Sequence, residues 1–374
     1  MKKDFIILFV ILLLGAYLRL INLSTNPPGF YTDEASIGFN AYKILTEGKD
    51  QFGKPFPLFF EAFGEFKNAF AIYPVVLTVE IFGVNEVSVR LAQAIFGVLD
   101  IFLMYFLGRA LFSGTVGLLS AFVFAICPWN VHLSRFNIES HNAFLFFVIC
   151  GTLFLILGLR KKHDRRFLIA AFVAWGLAFY TYFATRIFTP LCLAGLVFFA
   201  KADIVWLLKK ERKYLFYGTI VFVILVMPFV VHMVSGDGLS RYRGVSVGAS
   251  GKSLGDSVRL YFVHFEPNFV FLKGDADFPG QEIERHSVSG VGLFYKWQLP
   301  FFIFGLLALI FSKKHQKYSK VVVLLMLLLY PLGSVVSSAL TPFATRSVVG
   351  VIPYTILISL GIFQAFKFAK VLPF

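Results

Sequence analysis

The chain has 374 residues, of which 58% are hydrophobic and 15% are charged, and its formal net charge is +14 at neutral pH. Soluble domains carry roughly 25% charged residues, so this composition excludes an ordinary soluble protein and indicates an integral membrane protein. The basic clusters lie between apolar runs and not on one folded face, which argues against nucleic-acid binding and favours contact with anionic membrane lipid.

The first apolar run, Phe5 to Leu23, follows Lys2 and Lys3 and approaches the ~20 residues that a membrane-spanning helix needs. It is too long for a signal-peptide core and no small-residue cleavage site follows, so we predict an uncleaved span. Basic loops mark the cytoplasmic side. We therefore expect the N-terminus in the cytoplasm and the segment after this span on the outer face.

Two adjacent acids, Asp33 and Glu34, follow a Pro-Pro-Gly turn in the stretch "GFYTDEASIGFNAYKIL". The next apolar run, Ala69 to Gly83, contains Pro74 and Glu80 and is shorter than the ~20 residues of a span. We predict that it is a re-entrant or juxtamembrane helix on the outer face, because counting it as a span would place later basic loops outside.

With that assignment, the basic clusters agree with the charge rule. The predicted fold is an all-α polytopic membrane protein with about ten transmembrane helices, an outer re-entrant helix and both termini in the cytoplasm. We expect a single domain over residues 1–374, with a catalytic core in 1–200, a long outer loop in 235–296 and no soluble C-terminal domain. Cys127, Cys150 and Cys192 fall in apolar runs and are interpreted as core residues.

The outer loops contain most of the polar residues that no membrane anchor requires. A charged side chain near a span costs on the order of 3 kcal/mol and usually has a partner or a function, although each alone could be an interfacial residue whose charge reaches water. The set comprises Asp33, Glu34, Lys67, Arg90, Arg135, Glu139, His141 and Arg346. A carboxylate that takes a proton and cations that hold a leaving phosphate together suit sugar transfer from a lipid phosphate.

Three segments resemble a known group of proteins in their order and spacing. They are the Asp33–Glu34 stretch, "FKNAFAIYPVVLTVEIFGVNEVSVRLAQAIFG" and "CPWNVHLSRFNIESHNAF". They are similar to the GT-C membrane glycosyltransferases that use polyprenyl-phosphate sugars, such as protein O-mannosyltransferases, lipid A aminoarabinose transferases and rhizobial lipopolysaccharide galacturonosyltransferases. The resemblance covers residues 17–200 best.

This resemblance implies an inverting glycosyltransferase of the cell membrane with its active site on the outer face. Its partners would be a polyprenyl-phosphate sugar donor, a protein, lipid or glycan acceptor, and membrane lipid. Asp33 would be the catalytic carboxylate, Glu34 its structural or acceptor-contacting neighbour, and Glu139 a further acid, although relatives often carry Asp where this chain has Ser140. The residues implied for donor-phosphate binding are Lys67, Arg90, Arg135 and Arg346, of which Lys67 and Arg90 could instead hold the first loop.

Secondary candidates in the long outer loop are Lys273, Asp275, Arg285 and His286. Histidines in that loop are widely spaced, which is weak evidence for a metal site, so we expect no metal and no required cofactor. A divalent ion at the Asp33–Glu34 pair is an alternative that the arginines make less favoured.

Two other classes of protein stay open at this point. A transporter or lipid flippase would carry ionisable residues at mid-membrane depth and paired broken helices, whereas here Asp100 is essentially the only mid-span acid. A polysaccharide polymerase or ligase would share a lipid-linked donor. The charged outer rim favours the glycosyltransferase.

The predicted sidedness can be tested by cysteine labelling in a variant without native cysteines. We expect a cysteine placed in residues 235–296 to react with a membrane-impermeant thiol reagent added to intact cells, because this loop is predicted to be outside. A cysteine in residues 313–317 should react only after the cells are opened. The reverse pattern would place the acids on the cytoplasmic side.

Overall fold

The computed structural model describes residues 2–160, 164–235, 252–277, 287–312, 317–337 and 342–369. In these ranges the chain is helical apart from one small antiparallel hairpin near the N-terminal end, between α2 and α3. The elements are α1 (Lys2–Leu20), α2 (Thr32–Glu47), β1 (Phe59–Ala62), β2 (Glu65–Asn68), α3 (Ala69–Phe82), α4 (Glu86–Leu111), α5 (Gly114–Ile126), α6 (Pro128–Leu133), α7 (His141–Leu159), α8 (Arg166–Ala178), α9 (Thr185–Phe199), α10 (Lys201–Lys210), α11 (Arg212–Val234), α12 (Leu254–Val263), α13 (Leu299–Phe311), α14 (Lys317–Leu329), α15 (Leu332–Val335) and α16 (Val351–Ala369).

Among the described residues, 5 helices are long and apolar enough to cross a membrane, or 6 if α9 and α10, bent by 76°, form one span. Several shorter apolar helices, including α5 and α8, accompany them. The predicted all-α membrane architecture is therefore confirmed in outline. The predicted number of spans, about ten, is not confirmed and stays a prediction.

Close helix packing in the core depends on glycine. An added side-chain carbon at Gly305 would lie 1.9 Å from the Leu357 carbonyl oxygen, and one at Gly361 would lie 1.9 Å from the Phe301 carbonyl oxygen. No side chain fits at either position, so α13 and α16 meet backbone to backbone, as small residues permit between membrane helices.

Several basic and polar segments meet at one end of the bundle, which we call the basic end. Arg160 bonds the carbonyl oxygen of Ala110, and the Arg165 guanidinium lies 5.2 Å from the Trp206 ring centroid on α10. Tyr318 at the start of α14 bonds Asp203 on α10. The predicted grouping of these loops on one side agrees with this arrangement.

The acids near residue 33 lie at the opposite end. Helix α11 connects the two ends, and its 23 residues extend ~34 Å. It starts at Arg212 at the basic end, and His232 in its last turn stacks on Phe59 of β1 with ring centroids 3.9 Å apart. The hairpin and the acids beside it are therefore separated from the basic end by about the thickness of a membrane.

Helix α3 is joined to the first turn of α4 by hydrogen bonds. The Asn137 side chain donates to the carbonyl oxygens of both Ala71 and Val89, each at 3.3 Å, while Thr78 donates to the Ser88 carbonyl oxygen at 2.6 Å. The start of α3 is therefore joined to α4 through Asn137, and its third turn is joined to α4 directly. The helix is one of the shorter apolar helices, and whether it is juxtamembrane or crosses the membrane stays a prediction.

Candidate active site

The two adjacent acids occupy the first turn of α2, where carboxylates are favoured by the helix dipole. Glu34 accepts a hydrogen bond from the Tyr31 backbone N–H at 3.2 Å, which caps the helix start. The two side chains then diverge. The Asp33 side chain is 23% exposed, whereas Glu34 is fully buried, so neighbouring residues of the same type face different environments.

Glu34 forms a buried ion pair with Arg90, and neither side chain is exposed. Arg90 Nε donates to Glu34 Oε1 at 2.9 Å and Nη2 donates to Oε2 at 3.1 Å. The Asn137 backbone N–H also donates to Oε1, at 3.2 Å. With the bond from Tyr31, each carboxylate oxygen accepts two hydrogen bonds, which uses the capacity of an ionised carboxylate.

The remaining Arg90 donors hold the loop that follows the first helix. Nη1 donates to the carbonyl oxygens of Leu23 at 2.9 Å and Pro27 at 3.1 Å, and Nη2 donates to Gly29. Every nitrogen of the guanidinium therefore has a protein partner. This geometry supports the first-loop alternative for Arg90 and a positioning role for Glu34, and it gives no support to phosphate binding by Arg90 or to a direct catalytic role for Glu34.

Arg135 is also engaged with backbone carbonyls. Its guanidinium donates to Leu18 at 2.7 Å and, through Nη2, to Ile21 and Asn26. Carbonyls at a helix C-terminus lack intrahelical partners, so Arg135 caps α1 and fixes the start of the loop that follows it. Burial and the nearby positive charge of Arg90 lower the pKa of Arg135. Its predicted contact with a donor phosphate stays untested.

Asp33 forms an ion pair with Lys67. Lys67 is the other residue, besides Arg90, that the resemblance implies for holding the donor phosphate or the first loop. Lys67 Nζ lies 2.5 Å from Asp33 Oδ1, and the lysine side chain is only 2% exposed. Lys67 is on β2, where it pairs with Phe60 of β1. The hairpin therefore carries a buried cation to a carboxylate that is partly open to solvent, which is the geometry of a site that can receive a ligand.

The segment between α6 and α7 contributes Glu139, and His141 is the first residue of α7. Both are buried. The Ser140 hydroxyl donates to the Thr181 carbonyl oxygen at 2.8 Å, and the His141 ring centroid lies 4.5 Å from that of Tyr182, so this segment lies beside the residues that follow α8. Glu139 is two residues from Asn137, which contacts Glu34. The structure thus brings Glu139 near the buried pair without assigning it a role.

Arg346 belongs to a short repeat that sequence reasoning missed. The four residues Phe-Ala-Thr-Arg occur at 183–186 and again at 343–346, and each arginine lies over the phenylalanine of its own motif, at 4.2 Å and 4.4 Å from the ring centroid. A side-chain carbon added at Gly333 would lie 2.4 Å from the Arg346 carbonyl oxygen and 2.9 Å from the Ala184 Cβ. The two copies therefore meet at Gly333.

The Arg186 guanidinium is also 5.4 Å from the Phe229 ring, and Phe229 packs against Phe59 of β1 with centroids 6.3 Å apart. The arginines of the repeat thus lie at the end of the bundle that carries the hairpin. The repeated motif itself was the signal that could have identified Arg186 as a site candidate.

Among the secondary candidates, Asp275 has a defined contact. Its Oδ2 accepts a hydrogen bond from the Ala344 backbone N–H at 2.8 Å, and Trp129 Nε1 donates to the Ala344 carbonyl oxygen at 3.0 Å. These bonds hold the segment that carries Arg346. Lys273 ends a π-helical turn, Asn268–Lys273, whereas Arg285 and His286 lie outside the described residues.

Asn137 is the other residue that sequence reasoning did not single out. It is fully buried and connects α2, α3 and α4 through its backbone N–H and its side-chain amide. The signal in the sequence was a polar residue between the apolar residues Phe136 and Ile138. The partners of Asn137 are distant in sequence, so that signal did not indicate what it contacts.

In the part of the chain that the structure describes, no group of three or more His, Cys, Asp or Glu side chains could hold a metal ion. The expectation that no metal or cofactor is required stays a prediction, because activity has to test it.

Comparison with known proteins relates part of the chain to mannosyltransferases. Residues 70–232 match the family described as dolichyl-phosphate-mannose-protein mannosyltransferase. YkcB of Bacillus subtilis (strain 168), which bears a provisional mannosyltransferase name, is 30% identical over 183 residues, covering 47% of this chain and 24% of YkcB.

Solved structures extend the similarity to the whole fold. ArnT from Cupriavidus metallidurans bound to undecaprenyl phosphate has a TM-score of 0.62 at 13% identity, covering 99% of this chain and 61% of ArnT. The oligosaccharyltransferase AglB from Archaeoglobus fulgidus, in complex with an inhibitory peptide and a dolichol-phosphate, has a TM-score of 0.57 at 16% identity, covering 100% of this chain and 52% of AglB.

The predicted resemblance to the GT-C glycosyltransferases is therefore confirmed in sequence and in fold. The chain spans about a quarter of YkcB and 61% of ArnT.

The buried Glu34–Arg90 pair predicts that two glutamates of α2 contribute differently to the stability of the protein. Glu34→Gln removes the charge that compensates buried Arg90, and we expect a loss of unfolding free energy of about 3 kcal/mol or more. Glu47→Gln breaks the partly exposed Lys43–Glu47 pair and should change the unfolding free energy by less than about 1 kcal/mol. Thermal or denaturant unfolding of the purified variants measures both, and equal effects would contradict the assigned role of Glu34.

Proposed function

We propose that the chain, which has the GT-C glycosyltransferase fold, transfers a sugar from a polyprenyl-phosphate donor to an acceptor at the outer face of the cell membrane. The observation that carries the proposal is the Asp33–Lys67 pair, in which Lys67 Nζ lies 2.5 Å from a carboxylate whose side chain is 23% exposed. The adjacent acid Glu34 is buried and saturated with hydrogen bonds. Of the two adjacent acids, Asp33 is therefore the one suited to contact a substrate.

The chemistry assigns Asp33 the role of general base or of a group that orients the acceptor. An acceptor hydroxyl must lose a proton as its oxygen attacks the sugar carbon, and a positioned carboxylate can take that proton. The lipid phosphate leaves as a stable anion and needs cations more than an acid. Attack opposite the leaving phosphate inverts the configuration of the sugar carbon.

An apolar groove beside the hairpin suits the lipid part of such a donor. It has a volume of about 650 Å³ and is lined by Leu58 and Phe59 at the start of the hairpin and, on α11, by Val223, Ile224, Met227, Pro228 and Val231. Phe59 lies on β1, and its neighbour Phe60 pairs with Lys67 in the hairpin. A prenyl chain in this groove would bring its phosphate close to the Asp33–Lys67 pair.

The cations proposed for the phosphate are Lys67, Arg346 and Arg186. Arg186 and Arg346 are half-buried and belong to the paired Phe-Ala-Thr-Arg motifs at the hairpin end of the bundle. An arginine guanidinium binds two phosphate oxygens at once, which suits a leaving group with growing charge. Arg90 and Arg135 contribute indirectly, since they fix the first loop and the end of α1.

The acceptor is proposed as a hydroxyl of a protein, a lipid or a cell-envelope glycan, and the reaction is proposed to need no metal ion. The proposed acceptor and the absence of a metal requirement both rest on the resemblance to the GT-C glycosyltransferases and not on a contact in the structure. Both termini would lie in the cytoplasm, because the basic end of the bundle is opposite the proposed site.

The proposal predicts the effect of removing the Asp33 charge. Asp33→Asn should lower transfer about 10²- to 10⁴-fold, as the loss of a positioned base does. The assay incubates the purified chain with a panel of radiolabelled polyprenyl-phosphate sugars. It is run with and without EDTA, which tests whether a metal ion is required. Asp164→Asn, at an exposed position near the basic end, is the matched control and should leave turnover unchanged.

Asp33→Asn also leaves Lys67 without its partner, so stability has to be measured in parallel. The double variant Asp33→Asn/Lys67→Met removes the uncompensated buried charge and should regain stability without regaining activity. Full transfer by Asp33→Asn would contradict its role as base. Movement of donor lipid across proteoliposomes without consumption of the donor would instead indicate a flippase.

A further inference from the structure

A second polar surface lies at the basic end, far from Asp33. Helix α10 is turned by 76° from α9, and its last turn carries Lys209 and Lys210. Glu211 separates these lysines from Arg212 and Lys213 at the start of α11. The turn therefore concentrates positive charge where the chain enters α11.

An open cleft adjoins this charge. Its volume is about 570 Å³, and its lining includes Leu208 from α10 and Arg212, Lys213, Phe216 and Tyr217 from α11. Both cations are exposed. The exposed fractions of the apolar lining are 53% for Leu208, 63% for Phe216 and 55% for Tyr217. The cleft thus combines two cations at its rim with apolar walls that no other part of the described chain covers.

We propose that this cleft binds an anionic phospholipid, with the headgroup phosphate on Arg212 and Lys213 and the acyl chains along α11. Charge complementarity selects the headgroup, since juxtamembrane basic residues attract anionic lipid. The surface directly below the cations remains apolar, because Phe216, Tyr217 and Ile220 are 63%, 55% and 40% exposed. A soluble phosphate compound would leave these walls unused, whereas a phospholipid contacts both the cations and the walls.

This site is independent of the proposed sugar transfer. The 23 residues of α11 separate it by ~34 Å from the hairpin end, where His232 packs on Phe59. A lipid bound here would hold the start of α11 at the membrane surface opposite the Asp33–Lys67 pair.

Lipid titration followed by native mass spectrometry tests the site. The full chain in neutral detergent is titrated with dioleoyl phosphatidylglycerol or with dioleoyl phosphatidylcholine of the same chain length. We expect the anionic lipid to bind more tightly, and Arg212→Gln/Lys213→Gln to weaken its binding about 25-fold, since each charge contributes about 5-fold. Binding of phosphatidylcholine should not change.

Lys2→Gln/Lys3→Gln is the matched control, because it removes the same charge from exposed positions outside the cleft. It should leave phosphatidylglycerol binding unchanged. Equal binding of the two lipids, or equal losses in the two double variants, would overturn the proposal. Displacement of phosphatidylglycerol by inorganic phosphate at the same concentration would also overturn it, since the ligand would then be phosphate and not a lipid. Each of these outcomes leaves the sugar-transfer proposal intact.

Discussion

The buried ion pair between Arg90 and Glu34 is the contact on which the hairpin end of the molecule depends. Both side chains are fully buried, and desolvating two charges is costly unless every remaining hydrogen-bonding group finds a partner. The chain meets this requirement by collecting donors and acceptors from several elements. Carbonyls of the first loop, the N-terminus of α2 and the backbone of Asn137 all converge on the pair.

The hydrogen bonds that fully satisfy Glu34 also distinguish it from the adjacent acid, Asp33. Glu34 and Asp33 are neighbours on one helical turn, so their side chains leave α2 in directions about 100° apart. Glu34 points inward to Arg90, and Asp33 points to Lys67 at the partly exposed surface. An adjacent pair of acids in the sequence thus gives one residue that fixes the loop and one that a substrate can approach. The loop that positions Asp33 cannot move without disturbing the buried charge.

Sequence reasoning identified much of this arrangement because charge and hydrophobicity are local properties. The short run with Pro74 was predicted to be a re-entrant or juxtamembrane helix, and in the structure it forms the 14-residue helix α3, which contacts the first turn of α4. The functions of Arg90 and Arg135 were not resolved, because their partners are backbone carbonyls that no residue type reveals. Asn137 was missed for the same reason. The number of spans was not settled, because short helices such as α5 and α8 become recognisable only through their packing.

The arginine repeat shows a different limit. The two Phe-Ala-Thr-Arg copies are 160 positions apart, and only the close approach at Gly333 indicates that they belong to one region. Lys67 likewise becomes a partner of Asp33 only when the β1–β2 hairpin folds back over α2. Residues that meet through long-range contacts therefore required the structure, and the outer location of their segments stays a prediction.

A structure of the full chain with bound undecaprenyl phosphate would test most directly whether the loop-fixing and substrate-binding charges are separate. We expect the phosphate within hydrogen-bonding distance of Lys67, Arg186 or Arg346, its prenyl chain in the groove beside Phe59, and Arg90 still paired with Glu34. A phosphate bound to Arg90, with Glu34 displaced from the guanidinium, would contradict the assignment of that pair to positioning.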